Sequence, residues 1–218
     1  MERLWSKIFV AGGLLWGLAE GSPGFAPGID LGGGLSAGLT RIVVAEDARA
    51  TEAFKPRAEI VRSMVREGLT ALTGKTNETE AWLSMVNPED VVGIKVFSTP
   101  GPDIGTRPAV VEAVVEGLKE AGIPAEQIVV WDKRASALRR AGFFEFANRL
   151  GIRVVAGELA GYDEEAFYET SLVGTPAFGD HEFGRTGDGV GRKSYFTKLV
   201  TGDVTRIISI APLLNHHE

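Results

Sequence analysis

Three side chains in this sequence are of types that do chemistry, and each stands where a strand would hand the chain to a turn. Lys95 interrupts the apolar run VVGIKVF, Asp132 ends IVVWD, and His216 follows IISIAPLLN. A lysine inside a central strand loses its hydration unless it meets an anion or a carboxylate. The alternative is a strand-end lysine that reaches solvent. An aspartate directly after a parallel strand binds a ribose, a metal or a substrate hydroxyl, or it caps the next helix, here KRASALRR. An imidazole ligates metal or moves protons near neutral pH. His216 and His217 cannot both face one rim on extended backbone, and a frayed polar tail is the other reading of both. As a catalytic set, Lys95 balances an anionic substrate, Asp132 orients it, and His216 acts as acid–base group. As a metal set, His216 and Asp132 share a divalent ion. Thr99, Arg134, Lys198 and Asn215 join them as substrate-binding groups. His181, between Asp180 and Glu182, reads as a solvated loop histidine.

These groups act together only if the elements carrying them run the same way. PEDVVGIKVFS reads as a strand that is apolar on both faces, as in the middle of a parallel sheet. TRPAVVEAVVEGLKEAG is an amphipathic helix, with Thr106 as N-cap, Pro108 in the first turn and Gly122 at its end. EQIVVWD is the next strand. A polar helix, RASALRRAG, and a second one around Phe143–Leu150 lead to the strand IRVVAG. Upstream, RIVVAED opens the folded part near Arg41. KPRAEIVRSMVREGLTALTG reads as a helix closed by Gly74, and Asn77 caps a short helix after it. From Glu158 to Lys193 the pattern becomes a long loop or hairpin. SYFTKLV and TRIISIAP return to strand-like or mixed character. The expected fold is α/β, an open and mainly parallel sheet with helices on both faces. Such sheets bind ligands outside the carboxyl ends of their strands.

Composition bounds the rest. The 218 residues include no cysteine, which excludes disulfides, thiolate nucleophiles and a protein-ligated iron–sulfur cluster in this chain. The net charge of -6, with no Lys/Arg stripe, argues against nucleic acid as a partner. Residues 1–19 have the layout of a signal peptide: Arg3 and Lys7, an apolar run from Ile8 to Ala19, and a small-x-small cleavage site at Gly17-Leu18-Ala19. That run is too short to span a bilayer. The expected location is periplasmic or extracellular; a cytoplasmic apolar helix is the alternative. Residues 20–40 read as a Gly/Pro-rich linker and 41–218 as the α/β domain. Three glycine-rich stretches fail as phosphate or dinucleotide loops. LTGKTNE has the wrong glycine spacing and follows a helix, GDGVG has no strand before it, and GGGLSAG sits in the linker.

The ordered set AWLSMVNPEDVVGIKV, TRPAVVEAVVEGLKEAGIPAEQIVVWD, LRRAGF and SYFTKLVTGDVTRIISIAPLLNHHE resembles the bacterial and archaeal family called domain of unknown function 362, over roughly residues 41–218. The resemblance implies an α/β domain and supplies no reaction. Lys95 matches the family's second-strand lysine, Asp132 the aspartate ending its third strand, and His216 the histidine after its late strand. Phe97 departs, since relatives often carry Asn there. Some relatives are fused to ferredoxin-like modules and some are exported. The family domain usually continues past the late histidine, so this chain is expected to be its N-terminal part. Two functions follow as expectations. One is an enzyme, dependent on a small anion or a metal, with its site at the strand ends. The other is a non-catalytic module that binds a redox partner protein in an exported assembly.

Overall fold

The computed structural model describes residues 7–11, 41–169 and 193–212. The linker expected over 20–40, His181, and the group Asn215, His216, His217 and Glu218 lie outside the described residues. Strand β1 (Lys7–Ala11) pairs antiparallel with β2 (Ile42–Glu46), from Lys7 opposite Glu46 to Ala11 opposite Ile42. A short ribbon of β3 (Thr51–Glu52) and β4 (Lys55–Pro56) leads into helix α1 (Ala58–Thr73). Val61, Met64, Val65, Gly68 and Leu69 of α1 are buried, a spacing that puts them on one stripe. Gly74 closes the helix as expected. It takes up the left-handed conformation at φ 69 and donates its N–H to Thr70 O. Asn77 Oδ1 caps α2 (Glu78–Leu83) by accepting the Glu80 N–H at 2.9 Å.

The main sheet is built from β5 (Val92–Val96), helix α3 (Pro108–Glu120), β6 (Ile128–Asp132), helices α4 (Ala135–Arg140) and α5 (Phe143–Leu150), and β7 (Arg153–Ala156). Helix α6 (Gly157–Ala160), the antiparallel pair β8 (Tyr162–Glu169) and β9 (Lys193–Thr197), and α7 (Lys198–Gly202) follow, before β10 (Arg206–Ile210). The four sheet strands lie in the order β10-β5-β6-β7, all parallel. The fold is therefore α/β around an open parallel sheet, as the strand–helix alternation implies. β10 adds on the far side of β5 from β6, so the strand order reverses between β5 and β10. That makes their carboxyl ends a topological switch point.

Successive strand residues face opposite sides. Val92, Ile94 and Val96 of β5, with Ile128 and Val130 of β6, join residues of α1 through α5 in one core. Gly93, Lys95, Val129 and Trp131 face the other side. The chain leaving α7 reaches that side: Asp203 pairs with Arg153, and Val204 packs over Gly93. A Cβ on Gly93 would come within 2.8 Å of Val204 Cγ1 and 3.1 Å of Trp131 Nε1. No helix of the described residues is long and apolar enough to cross a membrane.

Two capping expectations give way to longer-range bonds. The residue before α3 is Arg107, with no side-chain cap; the Thr106 hydroxyl reaches across to the strand ends instead. The start of α4 is capped from a distance, by Glu158 Oε1 accepting the Ala135 N–H at 2.8 Å. Asp132 leaves that helix uncapped because its carboxylate is used elsewhere.

Candidate functional site

Parallel pairing places Val96, Asp132, Ala156 and Ile210 at one edge of the sheet. On that rim Lys95 and Asp132 meet. Lys95 Nζ donates to Asp132 Oδ1 at 2.8 Å and to Val96 O at 2.6 Å. Lys95 starts on one face of the sheet and curls over the end of its own strand. Its ammonium lies 5.6 Å from the centre of the Trp131 ring, the residue opposite it on β6. The lysine side chain keeps 32% exposure, so solvent reaches it from the rim.

Asp132 is 6% exposed and fully engaged. Its Oδ1 also accepts the Lys133 N–H at 2.8 Å, and Oδ2 accepts the Ser98 N–H at 2.8 Å and the Ser98 hydroxyl at 2.6 Å. An ionised carboxylate offers about four lone-pair positions, and the chain's own donors match that number. Burial opposes the charge, yet the bonds from Lys95 and Ser98 outweigh it and hold the carboxyl below the usual carboxylate range. Ser98 itself is fully buried; its sequence position after the second strand, beside Thr99, marks it as a rim group, and the structure adds its bonds to Asp132. Only the pairing of β5 with β6 makes its place beside Asp132 visible.

The turn after β5 is a tied loop. The Gly101 N–H donates to Ser98 O at 3.0 Å, the Gly105 N–H to Gly101 O at 2.9 Å, and the Thr106 N–H to Phe97 O at 2.9 Å. Gly105 admits no side chain: a Cβ there would run into Phe97 O and come within 2.7 Å of Gly101 O. The loop presents Thr99 and Ile104 to solvent.

The other predicted residues distribute around this pair. Thr99 and Arg134 are exposed, and neither side chain bonds to Lys95 or Asp132 among the described residues. Lys198 is exposed at the start of α7, beyond β7, where the Thr197 hydroxyl donates to Gly161 O at 3.1 Å. Lys198 lies near Asp163, whose carboxyl is lowered mainly by the Glu165 N–H and the Thr201 hydroxyl and only in small part by the lysine. Asn215 and His216 lie outside the described residues; among the described residues of the expected set, Lys95 and Asp132 are brought together. No group of three His, Asp or Glu side chains gathers for a metal ion among the described residues. A groove of about 620 Å³ runs between β2 and α1, lined in part by Val43, Ile60, Met64 and Glu67, and includes no rim residue. The rim, by contrast, brings the held ammonium of Lys95 to the strand ends.

No family model matches the chain. No curated protein and no solved structure matches it.

Proposed function

We propose that this chain is an enzyme domain that binds a small anionic substrate at the strand carboxyl ends, with Lys95 as the contact group. One observation carries the reading. Lys95 Nζ is anchored by Val96 O and Asp132 Oδ1, and an ammonium has three N–H donors. The remaining donor belongs to a partly exposed group on a rim where α/β sheets bind ligands. Asp132 and Ser98 act in this reading as positioning residues. A metal on Asp132 would have to displace Lys95, Ser98 or Lys133, which weighs for an organising carboxylate over a ligating one. His216 keeps its part as acid–base group on the sequence pattern alone. The resemblance to the family of unknown function adds Lys95, Asp132 and His216 as one set.

Titration calorimetry with pyrophosphate and, separately, succinate tests the reading. Lys95→Ala should weaken the better ligand by at least about tenfold, the worth of one charge-assisted hydrogen bond. Unchanged affinity in Lys95→Ala would remove the lysine from the site.

A second reading, a partner module without turnover, draws on exposed apolar side chains. Ile104, Leu159, Phe196 and Ile207 are all exposed. Export belongs to this second reading and rests on the leader-like layout of residues 1–19, with a cytoplasmic location as the alternative. β1 falls inside that stretch, so a chain cut after Ala19 loses the partner of β2. N-terminal sequencing of the mature protein decides between the precursor and the cut form.

A further inference from the structure

The Thr106 hydroxyl stands between the first backbone donor beyond β5 and the last carbonyl of β10. It accepts the Phe97 N–H at 2.8 Å and donates to Ile210 O at 2.6 Å. Its own N–H returns to Phe97 O at 2.9 Å. Thr106 is 3% exposed, so its hydroxyl has no water as a ready substitute for these bonds. Phe97 is thereby held on both its N–H and its C=O by one residue. The next residue, Ser98, gives its N–H and its hydroxyl to Asp132. Asp132 in turn holds Lys95. Thr106, Phe97, Ser98, Asp132 and Lys95, from β5, its loop and β6, thus form one bonded path from the switch point to the ammonium.

From this geometry we infer that Thr106 is a positioning residue for the anion site: its hydroxyl fixes the parting of β5 and β10 and so aims Ser98, Asp132 and Lys95. The inference rests on the anion-binding reading above and adds a specific determinant to it. A switch-point crevice is where a ligand enters an open α/β sheet, and here a buried hydroxyl fastens its base. Ligand is then admitted on the Lys95 side, over β5 and β6. A serine keeps the donor and the acceptor. A valine keeps the shape and loses both, taking the hydroxyl partner from the Phe97 N–H and the Ile210 C=O.

The experiment compares wild type with Thr106→Ser and Thr106→Val, with Thr106→Cys in place of valine if that variant does not fold. Amide hydrogen exchange reads the Phe97 and Ser98 N–H groups. Carbon-detected NMR follows the Asp132 carboxyl as pH falls, and calorimetry reads pyrophosphate affinity. The expected result for Thr106→Val is faster exchange at both amides, an Asp132 titration moved up toward the ordinary range, and pyrophosphate binding weaker by about tenfold. Thr106→Ser should restore all three. Fast exchange confined to Phe97, with Ser98 protected and the Asp132 titration unmoved, would make Thr106 a local strut and overturn the inference. If wild type binds neither pyrophosphate nor succinate, the anion reading loses its support, while exchange and titration still decide the role of Thr106.

Discussion

Lys95 and Asp132, on neighbouring parallel strands, close a 2.8 Å ion pair over the carboxyl end of the sheet, and the aspartate is the more deeply buried partner, at 9% side-chain exposure against 32%. The asymmetry sets the energetics. Removing the aspartate side chain leaves the Ser98 donors buried and the ammonium uncompensated. Asp132→Ala is expected to cost about 3 kcal/mol, as for a broken buried pair. Lys95→Ala takes the counter-ion from the buried carboxylate but leaves it accepting from Ser98 and Lys133, and should cost less, about 2 kcal/mol. Urea denaturation midpoints at constant slope give both numbers. A larger cost for the lysine than for the aspartate would contradict the assignment of Asp132 as the organising group.

The same bonds predict an acid sensitivity. The folded-state carboxyl of Asp132 is depressed, so it binds its proton less readily than in the unfolded chain. Its stabilisation is complete above the unfolded value of about 3.9 and is lost as pH falls through the lower folded value. Asp132→Asn cannot titrate. The stability gap between wild type and Asp132→Asn should therefore be widest at neutral pH and shrink once the pH drops below about 4. Denaturation curves at pH 7 and pH 3 test it, and a gap independent of pH would assign the depressed titration to another carboxyl.

Much of this arrangement was legible in the sequence because it is local. The alternation of VVGIKVF, VVEAVVEGL and IVVWD gives a parallel sheet, and Gly74 and Asn77 mark helix ends by their own backbone and side-chain chemistry. Lys95 and Asp132 stand out by type and place. What could not be read depends on strand order. Ser98 matters only because β5 lies beside β6, and Thr106 looks like an N-cap until β10 is laid against β5. Glu158 caps α4 from 23 residues away, which no local pattern encodes. His216 lies outside the described residues.

Gly105 tests how tightly the loop after β5 is built. A methyl group there meets backbone oxygens of Phe97 and Gly101, which cannot turn aside as a side-chain tip can. Gly105→Ala should therefore destabilise by about 1–3 kcal/mol, the range for overpacking. It should also speed exchange at the Thr106 amide, whose acceptor is Phe97 O. Gly74→Ala is the comparison: no atom lies within 4 Å of its added methyl, and only the left-handed backbone is penalised. Exchange at Thr106 should stay slow in that variant. If Gly105→Ala leaves both stability and exchange as in wild type, the loop yields more easily than its bonds imply.

Arg62 ties three helices together behind the sheet, and its replacement should separate buried from exposed electrostatics. From α1 it pairs with Glu78 of α2, donates to Glu120 Oε2 of α3 at 2.8 Å, and reaches Ala113 O at 3.2 Å. Gly117 lets α3 come this close, because a Cβ there would meet Trp82 Nε1 and lie 2.5 Å from Glu78 Oε1. The Arg62 and Glu78 side chains are 19% and 10% exposed, so little water is at hand to replace either partner. Arg62→Ala should cost about 2 kcal/mol, with Glu78 left as the uncompensated charge. The pair of Arg149 with Glu112 is more open, with the arginine 57% exposed, and Arg149→Ala should cost under about 1 kcal/mol. Salt distinguishes them further. At about 1 M the Debye length is only about 3 Å, so added salt should erase the Arg149 effect and leave most of the Arg62 effect. Equal costs for the two variants, or an Arg62 effect that salt removes, would mean that the three-helix junction is held by its apolar contacts and that the charges there only solvate its edge.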